Sequence, residues 1–368
     1  MQYAPVLMNL AIKGSIMSLF SPKHPPKSLC ILRLSAIGDI THALAVVQEI
    51  ARFYPACQIT WIVGKVEYAL LSQVMPENPP IDLVIFDKKT GWRGVFALWK
   101  QLKNQPFDAL LNMQTAFRAS ILSLGIKAKY KIGFGKKRSR EGQCFFVNQR
   151  VNDPDNPHVL DGFIAFAEKI GVAKFTPHWQ LNLSLPAQQK AKTFIQPNQR
   201  NLIISPCSSK AEKDWLIERY AELANVATQQ GINVILCGSP ASREMEICQK
   251  ITALYDNQIT NACGKTNLAE LTALIQQADL VIAPDSGPAH IATMVGTPVI
   301  GLYAYHNPWR TGPYHNLDNV ISVYEQNALK EFHKPSQELP WATKLSGKNL
   351  MAEIEVKDVV NEMRKLGF

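Results

Sequence analysis

The feature that most constrains this chain is the alternation of short, wholly apolar runs with amphipathic stretches, and it occurs twice. Leu29-Cys30-Ile31-Leu32-Arg33-Leu34 is one such run, ending at Ser35-Ala36-Ile37-Gly38-Asp39. Helical spacing follows through Ala43, Val46, Val47 and Ile50. Further strands are expected at 58–63, 83–86 and 108–113, with a helix at 92–102 before the last of them. The second half repeats the pattern, with strands at 201–205, 233–237, 280–283 and 298–303 and helices at 214–229, 239–254, 268–277 and 288–295. A strand buried on both faces needs a continuous apolar run, and the amphipathic segments between supply helices to cover it. The pattern predicts an α/β protein with two doubly wound parallel-sheet domains facing a central cleft.

Length and composition fit that reading. The chain has 368 residues, 46% hydrophobic and 19% charged, enough for two cores and too apolar for wholesale disorder. We expect an extension at 1–27, an N-terminal domain at 28–178, a second domain at 179–348 and a closing helix within 349–368. Pro177, Pro186 and Pro197 mark the stretch between the two halves. The opening residues up to Phe20 are interrupted by Lys13 and Gly14 and lack a basic start, so they do not read as a signal peptide. They read as a floppy extension, or as the product of an upstream start with Met17 the true one. Seven scattered cysteines without a C-x-x-C pair suit a reducing, cytoplasmic setting.

Charge is unevenly placed. The net +9 conceals a segment from Phe86 to Arg150 in which fourteen Lys or Arg face three acids, giving +11 there and −2 elsewhere. Such a segment either attracts an anionic partner or is a solvated face. Lys127, Lys129, Lys131, Lys136, Lys137, Arg138 and Arg140 are its densest part.

In open α/β sheets ligands bind beyond the carboxyl ends of the strands, so the polar residues there carry the chemistry. Asp39 follows Gly38 at the first such turn. It either caps the next helix or takes a proton from a hydroxyl; Thr41 and His42 could serve either role. Ser205-Pro206-Cys207-Ser208-Ser209-Lys210-Ala211-Glu212-Lys213 offers hydroxyls, amides and lysines suited to a phosphate, without the glycines of a P-loop. Cys207 has no local His to activate it as a nucleophile. Asp285-Ser286-Gly287-Pro288-Ala289-His290 reads as a helix start whose free amides suit a diphosphate, or as an ordinary capped junction. Gly238-Ser239-Pro240 is a further turn on that rim. Asp153-Pro154-Asp155 reads as a turn rather than a metal site. No His/Cys/carboxylate cluster has metal-ligand spacing and no G-x-G-x-x-G follows the first strand, so neither a metal nor a nicotinamide cofactor is expected.

From about Leu29 onward the chain resembles the ADP-heptose:lipopolysaccharide heptosyltransferases of glycosyltransferase family 9. The resemblance rests on ILRLSAIGDITHALA, SPCSSKAEKDW, ADLVIAPDSGPAHIATMVGTPVIGLYA and NPWRTGPY. It implies a GT-B fold of two Rossmann-like domains and an inverting, metal-independent transfer needing no cofactor. It further implies an ADP-heptose donor, an acceptor of the lipid A–Kdo type, and work at the anionic cytoplasmic face of the inner membrane. Asp39 matches the family's general base and Lys213 a lysine on the donor phosphates. Ser208 and Ser209 replace a Thr-Thr pair near the diphosphate. Asp285 matches a heptose-binding residue, Ser286 and Gly287 the phosphate turn, and His290 the family histidine. A ribose-binding glutamate falls on Glu244 or Glu246. Lys136, Lys137, Arg138 and Arg140 are the expected acceptor-binding cations. Two other classes stay open: a GT-B transferase using another nucleotide-sugar such as a UDP-sugar, and a non-enzymatic nucleic-acid-binding module.

Overall fold

The computed structural model describes residues 18–255 and 259–368. The expectation for the first sixteen residues and Met17 therefore lies outside the described residues. Residues 18–27 are placed, and they differ from a floppy extension. Leu19 and Phe20 pack on the core, and the Leu19 N–H donates to the Lys169 carbonyl at 3.0 Å.

The first lobe runs β1 (Ser28–Leu32), α1 (Ile37–Phe53), β2 (Gln58–Gly64), α2 (Lys65–Val74), β3 (Ile81–Phe86), α3 (Gly91–Leu102), β4 (Phe107–Asn112), α4 (Phe117–Leu124), β5 (Ala128–Gly133) and β6 (Gln149–Arg150). Two helices follow, α5 (Val159–Lys169) and α6 (Leu185–Lys192). The second lobe runs β7 (Asn201–Ile204), α7 (Ile217–Gln229), β8 (Asn233–Leu236), α8 (Ser242–Ala253), β9 (Thr260–Asn261), α9 (Leu268–Gln277), β10 (Leu280–Pro284), α10 (Gly287–Val295), β11 (Val299–Tyr303), α11 (Pro308–Thr311), β12 (Ile321–Ser322), α12 (Tyr324–Phe332) and α13 (Val356–Lys365).

Both sheets are parallel and six-stranded, ordered β3-β2-β1-β4-β5-β6 and β12-β11-β10-β7-β8-β9. Each is the same doubly wound order, so each has a switch point where the direction of winding reverses: between β1 and β4 in one, between β7 and β10 in the other. The central strands are apolar throughout because helices cover both faces. Leu29, Cys30, Ile31 and Leu32 are fully buried, as are Leu280 to Ala283. The short edge strands β6, β9 and β12 carry no apolar run and are not legible in the sequence; neither are α2, α5 and α6.

The lobes are not parted by an open gap along their whole length. One hydrophobic cluster runs from Leu29 and Ile31 through Ile40, Val46 and Val47 of α1 to Ile291 and Ala292 of α10 and Val281 of β10. α1 packs on α5 and on α10, and α6 crosses to α9. Buried hydrocarbon is worth about 25 cal/mol per Å² removed from water, so this shared layer holds the lobes together as a core would. What stays polar is the rim where α1 and α10 begin. Among the described residues no helix is long and apolar enough to cross a membrane.

Candidate active site

The rim is built by the two switch points. β1 enters α1 through Leu34 to Ala36, and the amides of Leu34 and Ser35 donate to Gln114 Oε1 at 3.0 and 3.4 Å. The cap of α1 is Ala36, which has no side-chain acceptor. Asp39 lies three residues further on, inside the first turn, so capping is not its task. Its carboxylate pairs with the Arg33 guanidinium, which also donates to the Met113 carbonyl at 2.6 Å and lies over the Phe163 ring. Arg33 is nearly buried, while a third of the Asp39 side chain remains exposed. The acid is held by its own lobe with one edge open.

Across from it, Asp285 ends β10 and is met from three sides. Lys213 Nζ and His306 Nδ1 both lie 2.7 Å from its Oδ2, and His290 Nε2 lies 4.0 Å from Oδ1. Burial works to raise the Asp285 pKa, but the His306 hydrogen bond and the Lys213 charge outweigh it and hold the carboxyl well below its usual range. His290 and His306 are lowered, chiefly by burial, against the pull of Asp285. α10 starts beside this knot with Ser286 as its cap, and the Ser286 side chain caps nothing. Its Oγ is buried without a hydrogen-bond partner among the described residues. A helix start with free amides and a spare hydroxyl can receive an anion.

The lobes touch here. A Cβ on Gly38 would overlap the His290 ring, and one on Gly287 would meet Ile37 Cγ2 at 3.3 Å. Glycine at 38 is what lets the first turns of α1 and α10 approach so closely. Arg310, mostly buried on α11, feels both Asp39 and Asp285, although burial dominates and lowers its pKa. The Trp341 ring lies between Arg310 and Arg138, each guanidinium carbon 5.1 Å from its centroid. The structure thus brings Asp39, Lys213, Asp285, Ser286, Gly287 and His290 to one locus. Sequence reasoning missed His306, Arg310 and Arg33. The first two lie in the run after β11, where strand-end position was the available signal; Arg33 looked like part of a strand.

Ser208 and Ser209 lie one strand over. Ser208 is buried, its hydroxyl donating to the Lys210 carbonyl at 2.7 Å while its amide donates to Asp214 Oδ1. Arg243 pairs with Asp214 and also donates to the Ser208 carbonyl, fixing the loop; Ser209 is exposed. The two glutamates separate clearly. Glu244 accepts the Ser239 amide at 2.7 Å beside Gly238, facing the rim, whereas Glu246 is exposed and paired with Lys250. Burial pushes the Cys207 thiol up to about 12, so it holds no thiolate to act as a nucleophile.

The basic segment needs correction. Arg138 is not a free acceptor-binding cation: it is buried, donating to the carbonyls of His158 (2.8 Å) and Asn156 (2.5 Å), and burial lowers its pKa to about 10. Lys131 turns back onto the Ser123 carbonyl at 2.6 Å. Lys127 and Lys129 sit at the start of β5, at the opposite end of the sheet from Lys136, Lys137 and Arg140. These residues do not form one patch, because a strand separates its ends by about 3.3 Å per residue. Lys136, Lys137 and Arg140 are exposed, and Arg140 is near enough to Arg310 to depress it. Asp153, in the predicted turn, accepts the Lys137 amide at 2.9 Å. A cavity of about 420 Å³ opens instead at the carboxyl ends of β1 to β4, lined by Lys65, Lys88, Lys89, Arg118, Phe117 and Glu67 among others. No sequence motif pointed to it, since its cations come from three separate segments, after β2, β3 and β4.

The model of the family described as "Glycosyltransferase family 9 (heptosyltransferase)" matches residues 95–342. The chain is 68% identical over 343 residues to the lipopolysaccharide core heptosyltransferase OpsX of Haemophilus influenzae, covering 93% of this chain and 98% of that one. The chain belongs to glycosyltransferase family 9, the heptosyltransferases. Solved structures give the same fold at lower identity. A family 9 glycosyltransferase from Veillonella parvula superposes with a TM-score of 0.74 at 21% identity, covering 92% of this chain and 97% of that one. The E. coli heptosyltransferase WaaC, solved with ADP-2-deoxy-2-fluoro heptose, gives 0.67 at 15% identity, covering 92% and 99%. This heptosyltransferase therefore has the expected GT-B architecture, with its polar rim at the switch points of both sheets.

Proposed function

We propose that this heptosyltransferase moves a heptose from ADP-heptose to an inner-core sugar (Kdo or the first heptose) of a lipid A–Kdo type acceptor, with inversion and without a metal. It acts peripherally at the cytoplasmic face of the inner membrane, where such an amphiphile lies. The observation that carries this reading is the juxtaposition of a half-open carboxylate on one lobe, Asp39, with a cation-rich helix start on the other. The 68% identity to a lipopolysaccharide core heptosyltransferase supports the choice of sugar and acceptor.

In this reading the donor diphosphate lies over Ser286, Gly287 and the first amides of α10. Lys213, nearly buried beside Asp285, meets the charge that grows on the departing ADP. Asp285 and His290 line the heptose, with His306 orienting Asp285. Glu244 rather than Glu246 takes the ribose, and Ser208 and Ser209 shape the phosphate side. Asp39 accepts the proton of the acceptor hydroxyl as its oxygen attacks the anomeric carbon and the bond to ADP breaks. Arg33 keeps that carboxylate aimed. A single displacement from the opposite face inverts the carbon and needs one base, worth about 10²–10⁴-fold. The acceptor's anionic groups enter from the cavity at Lys65, Lys88, Lys89 and Arg118, with Arg140, Lys136 and Lys137 on its approach.

The test is product mass analysis with ADP-heptose and a Kdo-bearing acceptor, alongside calorimetry of ADP binding. Asp39→Asn is expected to lose at least a hundredfold in kcat while binding ADP normally, and Lys213→Ala to lose both. Near-normal turnover by Asp39→Asn removes Asp39 from its role, and transfer from a UDP-sugar in place of ADP-heptose overturns the donor.

A further inference from the structure

Starting two residues after the cavity cations Lys88 and Lys89, α3 presents an outer face that no described residue covers. Its buried side consists of Val95, Leu98 and Leu102, packed on the sheet with Phe86 and Leu110. At about 100° per residue, Trp92, Phe96, Trp99 and Lys103 share a stripe roughly a quarter-turn from the buried side, and Arg93 and Lys100, beside it, point directly away from that side. Trp92 is 63% exposed and Phe96 60%, although both are large aromatics. The rings form a continuous row: Trp92 to Phe96 at 6.4 Å and Phe96 to Trp99 at 5.6 Å. Trp99 is pinned by its Nε1–H donating to the Leu122 carbonyl at 2.9 Å, and exposed Leu124 at the end of α4 lies just beyond.

The electrostatics select the occupant. α3 has no acidic residue, and from Asp87 to Lys103 five cations (Lys88, Lys89, Arg93, Lys100, Lys103) face one acid. Asp87 is spent on the Lys89 amide at 2.9 Å. A second copy of the same face would bring like charges together, which opposes self-association. Aromatic rings at the level of headgroups with Lys and Arg reaching the phosphates is the arrangement of an in-plane interfacial helix.

We infer that the outer face of α3 seats the enzyme on an anionic bilayer, with Trp92 and Phe96 entering the headgroup boundary and Arg93, Lys100 and Lys103 meeting lipid phosphates. The inference deepens the proposed function and rests on its membrane-borne acceptor. α3 begins directly after Lys88 and Lys89, which line the cavity, so the seated face sets the cavity mouth beside the bilayer. An acceptor can then present its sugar while its acyl chains stay in the membrane. The surface differs from the Lys127 to Arg140 set, which the fold divides.

The test uses the full chain in flotation with vesicles of phosphatidylcholine alone or mixed equally with phosphatidylglycerol, at low and high salt. The wild type is expected to float with mixed vesicles, less so at high salt, and not with neutral ones. Trp92→Ser/Phe96→Ser and Arg93→Ala/Lys100→Ala/Lys103→Ala are each expected to lose at least tenfold in partition. Both should keep wild-type turnover on a deacylated, water-soluble acceptor and lose it on acceptor embedded in vesicles. Unchanged partition in both variants overturns the docking face, as does a wild-type dimer or a nucleic-acid complex that the aromatic variant dissolves while vesicle binding is unaffected. Should the wild type float as described yet transfer heptose to no acceptor, the proposed function fails and the docking face stands.

Discussion

His158 offers a sharp test of how the lobes are joined, because its protonation state can be derived from its contacts. It caps α5, with Nδ1 accepting the Leu160 amide at 3.0 Å, while Nε2 faces the Gly312 carbonyl of the other lobe at 2.9 Å. The imidazole is thus neutral with its proton on Nε2, and a second proton on Nδ1 would point at an N–H. Burial, foremost, lowers its pKa from 6.5 to about 3. The unfolded chain therefore takes up the proton first, so this contribution to stability is complete above about pH 6.5 and drains away as pH falls toward 3. By pH 5 the loss amounts to about 2 kcal/mol relative to pH 8. The perturbation is His158→Asn, which keeps a capping oxygen but cannot titrate. At pH 8 the variant should be less stable by about 1–3 kcal/mol, because the buried Gly312 carbonyl loses its donor. Urea unfolding at pH 8 and pH 5 should show that deficit shrinking by about 2 kcal/mol. Other buried histidines titrate in both proteins and cancel in the difference. A deficit identical at the two pH values refutes the assigned tautomer and the reasoning built on it.

Three further outcomes follow from the rim. Gly38→Ala drives a methyl into the His290 ring and should cost about 1–3 kcal/mol, read as a lower thermal midpoint with weaker ADP binding; an unchanged midpoint means the lobes do not meet there. Arg33→Met removes the group that fixes Asp39, so steady-state kinetics should show kcat at least tenfold lower with donor KM little altered. Glu244→Gln should weaken ADP by several-fold in calorimetry while Glu246→Gln leaves it alone, since Glu246 is exposed and paired with Lys250.

The central strands were legible because burial on both faces forces continuous apolar runs, as in Leu29–Leu32 and Leu280–Ala283. The helix starting at Gly287 was legible from Pro288 and the turn before it. Edge strands β6, β9 and β12 were not, being two residues long and stabilised by neighbours rather than by their own composition. Among site residues, Asp39 and the run from Asp285 to His290 were found because they follow a strand end inside a recognisable turn, whereas His306 follows β11 just as closely but in a run with no such turn. Arg33 was missed because a charged residue within an apolar run has no pattern of its own; its function depends on Asp39 six residues on and Met113 on another strand. The reverse error, reading Arg138 as a surface cation, arose because its neighbours Lys136 and Lys137 are indeed exposed, while Gly162 leaves room for its guanidinium against α5. Counting charges cannot distinguish these cases.

Between the sheets, His290, His42 and His158 stand edge to face with centroids 4.8 and 5.2 Å apart, and Tyr314 continues the row at 4.8 Å. His42 has no hydrogen-bond partner at either nitrogen among the described residues, and burial first, then the neighbouring histidines, keeps it uncharged. Ring contacts of this kind hold by packing and by the ring quadrupole, without a donor or an acceptor. The row therefore packs without bonds in its middle and is tied across the lobes at its far end, where His158 meets Gly312 and Trp341 Nε1–H donates to the Pro157 carbonyl at 2.7 Å, so any turning of one lobe on the other would have to break that bonded end before the rings at His42 could part.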